Sequence, residues 1–482
     1  MGRVVLVAVQ GRAKIVSVPY RSSLCLMATM VRDGALSAVE LVEAHLRQIE
    51  RRDPSLNAFV AVLAEAALAE ARERQQALAR GEHAGLLQGV PLTVKDSFDV
   101  AGLPTLAGSR GRVGHRATED SAAVARLRAE GAVILGKTNT PELLASYETD
   151  NAVTGRTNNP WDPERTPGGS SGGEAAAIAA FCSPGGIGSD GGGSIRVPAH
   201  FCGICGLKPT PGRIPTTGHY PSLGYPGGLT GVAGPMARTA EDLRLLFSVL
   251  AGYEPADPFS VPVPLAAPEP IHRGRIAVWP QFYDVPVLPE IGATVRHATV
   301  KLKELGFRVE EFAPRGLERA PNVWAFLFSQ WPSLAIRKMF EGREEQMHWT
   351  LAEGLAASKT YDPPTAEQAL RELAAHDRMR ASLLKQMEGI AAVLMPVCGI
   401  PAFHHRERKW EIGGRSVGLF QVMMPAVIAN VMGLPAVTIP FGRTETGLPI
   451  GIQLLGHPFE DEMVLEVAVL LEKARGPWTG PQ

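Results

Sequence analysis

Residues 166–181 read TPGGSSGGEAAAIAAF, and residues 183–210 read SPGGIGSDGGGSIRVPAHFCGICGLKPT. This is an unusual density of glycine for the middle of a chain. Between the glycine-rich loops, the alanine-rich run from Glu174 to Phe181 predicts a helix. The run GGIGSD, which ends at Asp190, predicts a buried strand that enters a loop. The most unusual backbone of the chain is therefore expected next to a sheet.

Short β-rich runs alternate with helical patterns on both sides of this centre. GVPLTVKDSFDV (residues 89–100) and AVILGKTN (132–139) predict strands on the N-terminal side. The other predicted strands are RIAVW, FRVEEF, AAVLMPV, AVTIPFG and IGIQLLG. The predicted helices cover residues 36–52, 61–81, 121–131, 239–252 and 290–305 and the C-terminal run EDEMVLEVAVLLEKA. Such alternation predicts an α/β fold around a largely parallel, buried sheet.

The domain organisation follows from a change in composition near residue 260. Residues 318–390 are mainly helical and rich in Trp and Phe, and strands are predicted before and after them. This pattern indicates an insertion, at about 315–390, on one core. The predicted organisation is an N-terminal extension (1–25) and a single domain (26–482) with its core in 85–255 and 390–475.

Bulk composition excludes several classes of protein. The 482 residues carry a net charge of −1, so no basic surface indicates nucleic acid or an acidic membrane as partner. Five cysteines in so long a chain do not resemble a disulfide framework and favour a cytoplasmic location. The apolar stretch 421–440 is interrupted by two prolines and Gly433, which favours a buried core segment over a membrane span.

Three interpretations of the glycine-rich centre each lack a required feature. Gly186–Gly191 matches G-x-G-x-x-G, but no helix opens at the third glycine, as a dinucleotide site requires. Ser171 fits the G-x-S-x-G nucleophile elbow, but no strand directly precedes it. Cys202 and Cys205 form one C-x-x-C without a second pair, so no metal site is expected.

A Ser–Ser–Lys site accounts for more of these features together. Lys95 ends an apolar run, where a strand can deliver it into a buried cleft. Burial disfavours the ammonium form, so such a lysine can serve as a base for a serine nucleophile. Ser194 follows three glycines whose amides could bind a substrate oxyanion, and Ser170 lies in the tight GGSSGG loop. Each residue taken alone also has an ordinary structural interpretation.

The residues of this centre closely resemble those of the amidase signature family. The resemblance rests on TPGGSSGGEAAAIAA and GIGSDGGGSIRVPAHFCGICGLKPTPGR, and extends to GVPLTVKDSFDVAGLPTLAGS, GKTNTPEL and GLPAVTIPFGRTETGLPIGIQLLG. It covers most of residues 30–255 and 425–475, and little of 260–420. It implies an α/β/α sandwich with a large mixed, mostly parallel central sheet flanked by helices.

The resemblance also implies roles for individual residues. Ser194 corresponds to the family's nucleophile, Ser170 to a bridging serine that follows a cis peptide, and Lys95 to the base. Ser171 corresponds to a supporting hydrogen-bond partner. The implied oxyanion donors are the amides of Gly191, Gly192, Gly193 and Ser194. Gly191 stands where the family often has Thr or Ile, which predicts a more flexible or roomier loop.

The family's activity implies hydrolysis of C–N bonds through an acyl-enzyme, without a metal or other cofactor. The expected substrates are small molecules: aryl and other apolar amides, carbamates (urethanes) and esters. An apolar pocket could be lined by Trp324, Phe326, Phe328, Trp331, Met423, Met424 and Met432, which could equally be core residues. The alternatives are the glutaminase subunit of a tRNA-dependent amidotransferase and a non-catalytic binding protein. A monomer or homodimer is expected.

Overall fold

A computed structural model describes residues 5–9, 12–16, 19–82, 85–223, 227–267, 274–358 and 364–481. Its strands are β1 (Val5–Val9), β2 (Arg12–Val16), β3 (Phe59–Val62), β4 (Pro91–Lys95), β5 (Val133–Thr138), β6 (Gly185–Asp190), β7 (Cys205–Lys208), β8 (Val232–Ala237), β9 (Arg275–Val278), β10 (Arg308–Glu311), β11 (Ile390–Pro396), β12 (Lys409–Ile412), β13 (Arg415–Gly418), β14 (Ala436–Arg443) and β15 (Pro449–Leu455).

Its helices are α1 (Leu24–Arg32), α2 (Ala38–Leu56), α3 (Ala64–Ala79), α4 (Ala122–Ala129), α5 (Gly172–Ala179), α6 (Arg196–Cys202), α7 (Ala240–Leu250), α8 (Pro289–Glu304), α9 (Ala320–Trp324), α10 (Trp331–Met339), α11 (Trp349–Ser358), α12 (Ala366–Gln386), α13 (Leu419–Val431) and α14 (Asp461–Arg475). A π-helical stretch, Ala325–Gln330, joins α9 to α10 without a break. The predicted alternation of strands and helices is thus confirmed.

Eleven strands form one sheet, in the order β10-β9-β11-β15-β14-β7-β8-β6-β4-β5-β3. The predicted large mixed sheet is confirmed, but its mostly parallel character is not. Of the neighbouring pairs among the described strands, four are parallel and six antiparallel. Alternating strands and helices do not fix strand direction, and a short turn such as the one joining β14 to β15 requires an antiparallel pair.

Helices cover both faces of the central strands. In β6, a side chain at Gly185 would point at Leu24 of α1 and Leu246 of α7, whereas one at Gly186 would point at Glu174 of α5. Successive residues of a strand face opposite sides of the sheet, so α5 lies on one face and α1 and α7 on the other. This gives the α/β/α layering, and it explains why β4, β5 and β6 are buried along their whole length.

The apolar stretch 421–440 belongs to the core, as predicted. It forms most of α13 and the first half of β14, and nearly all of its residues are buried. None of the described helices has the length and apolar composition needed to cross a bilayer.

Within the predicted N-terminal extension, residues 1–4, 10–11 and 17–18 lie outside the described residues, and its boundary at residue 25 stays a prediction. Helix α1 begins at Leu24, which packs in the main core.

Candidate active site

Two parallel strands bring the predicted base to the glycine-rich loop. Strands β4 and β6 are neighbours in register, with Thr93 opposite Gly186, so Lys95 and Asp190 emerge at the same edge of the sheet. The Lys95 ammonium nitrogen, Nζ, lies 2.8 Å from Ser170 Oγ and 3.0 Å from Ser189 Oγ. The site therefore begins with a buried lysine in contact with two serine hydroxyls.

Burial sets the protonation of this lysine. Lys95 is 0% exposed, and burial lowers the pKa of its side chain to about 7. The negative charges of Asp190 and Glu174 act in the opposite direction and favour the ammonium form. A neutral amine, able to accept a proton, is therefore accessible near neutral pH.

The loop that carries Ser170 is fixed by its surroundings. The Gly169–Ser170 peptide is cis, as the family resemblance implies. A side chain at Gly169 would lie 2.5 Å from the Ser146 carbonyl oxygen, so only glycine fits there. Thr140 Oγ1 donates a hydrogen bond to the Ser170 carbonyl oxygen at 2.8 Å. These contacts hold the Ser170 hydroxyl toward Lys95.

Ser171 differs from Ser170 in where its hydroxyl lies. It is fully buried, and its Oγ is 3.3 Å from the Ser189 carbonyl oxygen. Its amide donates to the Ser194 carbonyl oxygen at 3.1 Å. Because the hydroxyl is turned into the protein and no strand precedes it, the nucleophile-elbow interpretation does not fit this geometry. Through these contacts Ser171 supports the backbone at Ser189 and Ser194.

A cavity of about 340 Å³ opens onto these groups. Its inner wall consists of Ser170, Ser189, Gly191 and Ser194. The remaining lining is largely apolar, and the part called here the apolar wall consists of Leu143, Leu144, Phe328, Ala335, Ile336 and Met339. Among the described lining residues, Asp190 is the one acidic residue, and none is a lysine, arginine or histidine.

The glycine loop from Asp190 to Ser194 is held by its carbonyl oxygens. Three side chains that are distant in sequence and one amide of the following helix α6 donate to four successive carbonyls. Asn430 Nδ2 donates to Asp190 O at 3.1 Å, Trp324 Nε1 to Gly191 O at 3.0 Å, Tyr147 Oη to Gly192 O at 2.7 Å, and the Val197 amide to Gly193 O at 2.7 Å. The loop is therefore rigidly positioned although it is mostly glycine.

The amides of the same loop are mostly left unbonded. Within the described part of the chain, the N–H groups of Gly191, Gly192 and Ser194 have no hydrogen-bond acceptor. The Gly193 N–H, however, donates to Asp190 Oδ1 at 2.7 Å. The prediction of four oxyanion donors is therefore corrected at Gly193, because the carboxylate of Asp190 already occupies its amide.

A buried ion pair beneath this loop was not predicted from the sequence. Asp190 and Arg196 are both 0% exposed at the side chain, and Arg196 Nη2 lies 3.0 Å from Asp190 Oδ1. The Arg196 charge and hydrogen bonds from Asn430 and the Gly193 amide hold the pKa of Asp190 well below its usual range. Arg196 also donates to Gln453 Oε1 at 2.9 Å. The sequence did contain a signal for this pair: Asp190 and Arg196 lie on either side of the glycine run, next to a strand predicted to be buried. Because buried charges must be paired, their closeness in sequence could have predicted the ion pair.

The predicted roomier loop at Gly191 is also corrected. A Cβ at Gly191 would overlap the ring of Phe328, so that ring already fills the space of a side chain there. Of the aromatic and methionine residues considered as pocket lining, Phe328 alone lies in the described cavity lining. Trp324, Phe326 and the three methionines are buried in the core instead, and Trp331 is half-buried.

The cysteines play no visible part in this site. Cys202 and Cys205 are buried free thiols, and burial raises the pKa of both well above the ordinary value. Over the ranges that the structure describes, no three His, Cys, Asp or Glu side chains converge as metal ligands would.

Comparisons with known proteins define the class. The chain matches the family model described as Amidase over residues 40–465. It is 33% identical to the indoleacetamide hydrolase of Bradyrhizobium diazoefficiens, covering 93% of this chain and 86% of that protein. It is also 33% identical to a subunit of the glutamyl-tRNA(Gln) amidotransferase of Methylococcus capsulatus, covering 94% of this chain and 97% of that one.

A solved structure gives the same result. The bacterial aryl acylamidase of the amidase signature enzymes superimposes with a TM-score of 0.82 at 27% identity, over 95% of this chain and 96% of that one. The fold and these relatives define a hydrolase that acts on the C–N bonds of amides. The chain belongs to the amidase signature family.

Proposed function

We propose that this protein hydrolyses uncharged, apolar amides, with aryl amides and anilides as the leading substrates and aryl carbamates and esters as further ones. The observation that carries the proposal is a small, mostly apolar cavity that ends at Ser170 and Ser194, with Lys95 bonded to the Ser170 hydroxyl. Its volume of about 340 Å³ lies at the lower end of the range for small-molecule sites. Substrates with one ring and a short acyl group suit such a cavity.

Proton transfer in the proposed mechanism runs through the two serines. Neutral Lys95 takes the proton of the Ser170 hydroxyl, and Ser170 takes that of Ser194, whose oxygen bonds to the substrate carbonyl carbon. When the C–N bond breaks, the proton returns through Ser170 to the departing amine. Water then attacks the acyl-enzyme, gives its proton to the same relay, and releases the carboxylic acid and free Ser194.

The proposed oxyanion donors are the free amides of Gly191, Gly192 and Ser194. Amides fixed before the reaction stabilise the developing negative charge without having to reorganise. The hydrogen bonds to the loop carbonyls from Asn430, Trp324, Tyr147 and Val197 supply this fixation. Gly193 contributes indirectly, because its amide ties the loop to Asp190.

The lining argues against glutamine as the natural substrate. Free glutamine carries an ammonium and a carboxylate, and burying either without a charged partner is costly. Asp190 is the charged residue in the described lining, and Arg196 and the loop amides already occupy it. The similarity to an amidotransferase component therefore supports the shared amide chemistry more than glutamine as the substrate.

The test is hydrolysis of a chromogenic anilide, an aryl carbamate and glutamine by wild type, Ser194→Ala and Ser171→Ala. We expect wild type to cleave the anilide or carbamate, and Ser194→Ala to lose at least about 1000-fold in kcat/KM because the nucleophile is gone. Ser171→Ala, the matched control one residue from Ser170, should keep measurable activity. A dead Ser171→Ala with an active Ser194→Ala would overturn the assignment. Cleavage of glutamine alone would indicate that a partner protein is needed.

A further inference from the structure

The helices between β10 and β11 are called here the helical segment. Two aromatic side chains of this segment contact the glycine loop. Trp324 ends α9, and Phe328 lies in the π-helical stretch that follows it. Trp324 Nε1 donates to the Gly191 carbonyl oxygen at 3.0 Å, across 133 residues of sequence. Among the loop's four carbonyl partners, Trp324 is the one that comes from the segment between β10 and β11, outside the signature motifs.

The geometry of the peptide group links this bond to a free amide. The Gly191 carbonyl and the Gly192 N–H belong to the same planar peptide group, and in a trans peptide they point in opposite directions. Fixing Gly191 O on the indole therefore turns the Gly192 N–H away from Trp324. Gly191 lines the cavity and Trp324 is outside its described lining. The Gly192 N–H itself has no hydrogen-bond acceptor among the described residues.

Phe328 holds the indole in this position. Its ring stacks on Trp324 with the centroids 5.2 Å apart and the planes 17° from parallel. It also fills the space that a side chain at residue 191 would need, while Trp324 Cζ2 lies 2.8 Å from where a Cβ at Gly192 would stand. The two glycines and the two aromatic rings thus fit one another.

We propose that Trp324 is a positioning residue of the oxyanion site: its indole N–H orients the Gly191–Gly192 peptide so that the Gly192 amide faces the substrate carbonyl, and Phe328 fixes the indole. The inference rests on the proposed function, because it takes the loop amides as the oxyanion donors. The helical segment then contributes to the rate of the reaction as well as to the shape of the cavity.

The test compares wild type, Trp324→Phe and Trp331→Phe. Trp331→Phe is the matched control, since it removes an indole from the same helical run without touching the loop. The main readout is the rate at which a fluorophosphonate probe labels Ser194: the serine oxygen bonds to phosphorus, fluoride leaves, and the phosphoryl oxygen occupies the oxyanion site. We expect Trp324→Phe to label about tenfold more slowly or worse, and Trp331→Phe to label as wild type does.

Steady-state kinetics on the best anilide give the second readout. Trp324→Phe should lower kcat by a similar factor, leave KM within about twofold, and leave the acid limb of the pH profile in place. Because Trp324→Phe could disturb packing, a second variant carries 3-benzothienylalanine at residue 324. This side chain keeps the shape and replaces the N–H by sulfur, so the same loss is expected with an unchanged melting temperature.

The outcomes separate the two proposals. Labelling of Ser194 at the wild-type rate in the benzothienylalanine variant, whatever the rate in Trp324→Phe, would overturn the role of the Trp324 N–H and leave the proposed function standing. An unlabelled Ser194 in wild type would overturn the proposed function itself. A change in KM alone, with kcat unchanged, would make Trp324 a cavity residue and would also contradict the inference.

Discussion

The inner wall and the apolar wall of the cavity are built in different ways. The inner wall is fixed by hydrogen bonds among fully buried groups, including the Asp190–Arg196 pair and the four donors to the loop carbonyls. The apolar wall has partly exposed side chains, such as Ile336 and Met339 on α10, that face the cavity. Rigid polar groups suit chemistry, whereas apolar side chains that can repack suit choice of substrate.

The largest expected effect comes from breaking the ion pair under the inner wall. Asp190→Asn keeps the shape of the side chain but leaves Arg196 as a buried charge without its carboxylate. Removing one partner of such a pair costs about 3 kcal/mol or more in unfolding free energy. We expect that loss in urea denaturation, together with a severe loss of activity because the Gly193 amide and α6 are no longer anchored.

An ion pair in the helical segment provides the control. Arg319 donates to both carboxylate oxygens of Glu372 at 2.9 Å, but its side chain is 49% exposed. Glu372→Gln removes the carboxylate and leaves the charge of Arg319 in contact with water, so this variant should cost about 1 kcal/mol or less in unfolding free energy and leave kcat unchanged. Equal losses of stability in the two variants would contradict the contrast between the inner wall and the helical segment.

Local pattern was enough to predict the elements of the inner wall, and not its bonds. The apolar run before Lys95 and the run GGIGSD predicted β4 and β6, because strand-forming patterns are local. Strand direction in the rest of the sheet depends on which strands meet, which local pattern does not contain. The same limit explains why Gly193 was wrongly predicted as an oxyanion donor. Its N–H donates to the Asp190 carboxylate, and the orientation of that side chain depends on tertiary contacts.

The apolar wall was harder to predict for the same reason. Gly191 suggested extra room in the loop, but the room is filled by Phe328, which is distant in sequence. Trp324 was considered as pocket lining, and its indole is bonded behind the loop instead. Composition identified these aromatic residues as candidates, and tertiary packing decided which of them reached the cavity.

A smaller effect is expected from reshaping the apolar wall. Ala335 lines the cavity on α10, so Ala335→Trp should narrow it. We expect kcat/KM for an anilide to fall about tenfold, mostly through KM, while a small aliphatic amide is affected much less. Leu334→Trp is the matched control, because Leu334 is the neighbouring exposed residue and lies outside the described lining. Equal losses on both substrates would mean that α10 does not select substrates.

The smallest expected effect is a shift in pH dependence. Neutral Lys95 is the proposed base and its pKa is lowered to about 7, so kcat/KM should fall as pH decreases through about 7. Glu174 lies behind the site, where Thr93 Oγ1 and Thr138 Oγ1 donate to its carboxylate at 2.5 and 2.7 Å. Its negative charge favours the ammonium form of Lys95, so Glu174→Gln should lower the pKa of Lys95 further.

The acid limb of kcat/KM should therefore move to lower pH by about one unit or less, which corresponds to about 1.4 kcal/mol at most. Burial also raises the pKa of Glu174 to about 7, so both groups titrate in the same range and the wild-type limb should be broader than that of the variant. Glu472→Gln is the control, since that buried carboxylate does not contribute to the pKa of Lys95. A shift of the limb to higher pH in Glu174→Gln would contradict Lys95 as the base, because removing a negative charge cannot favour its ammonium form.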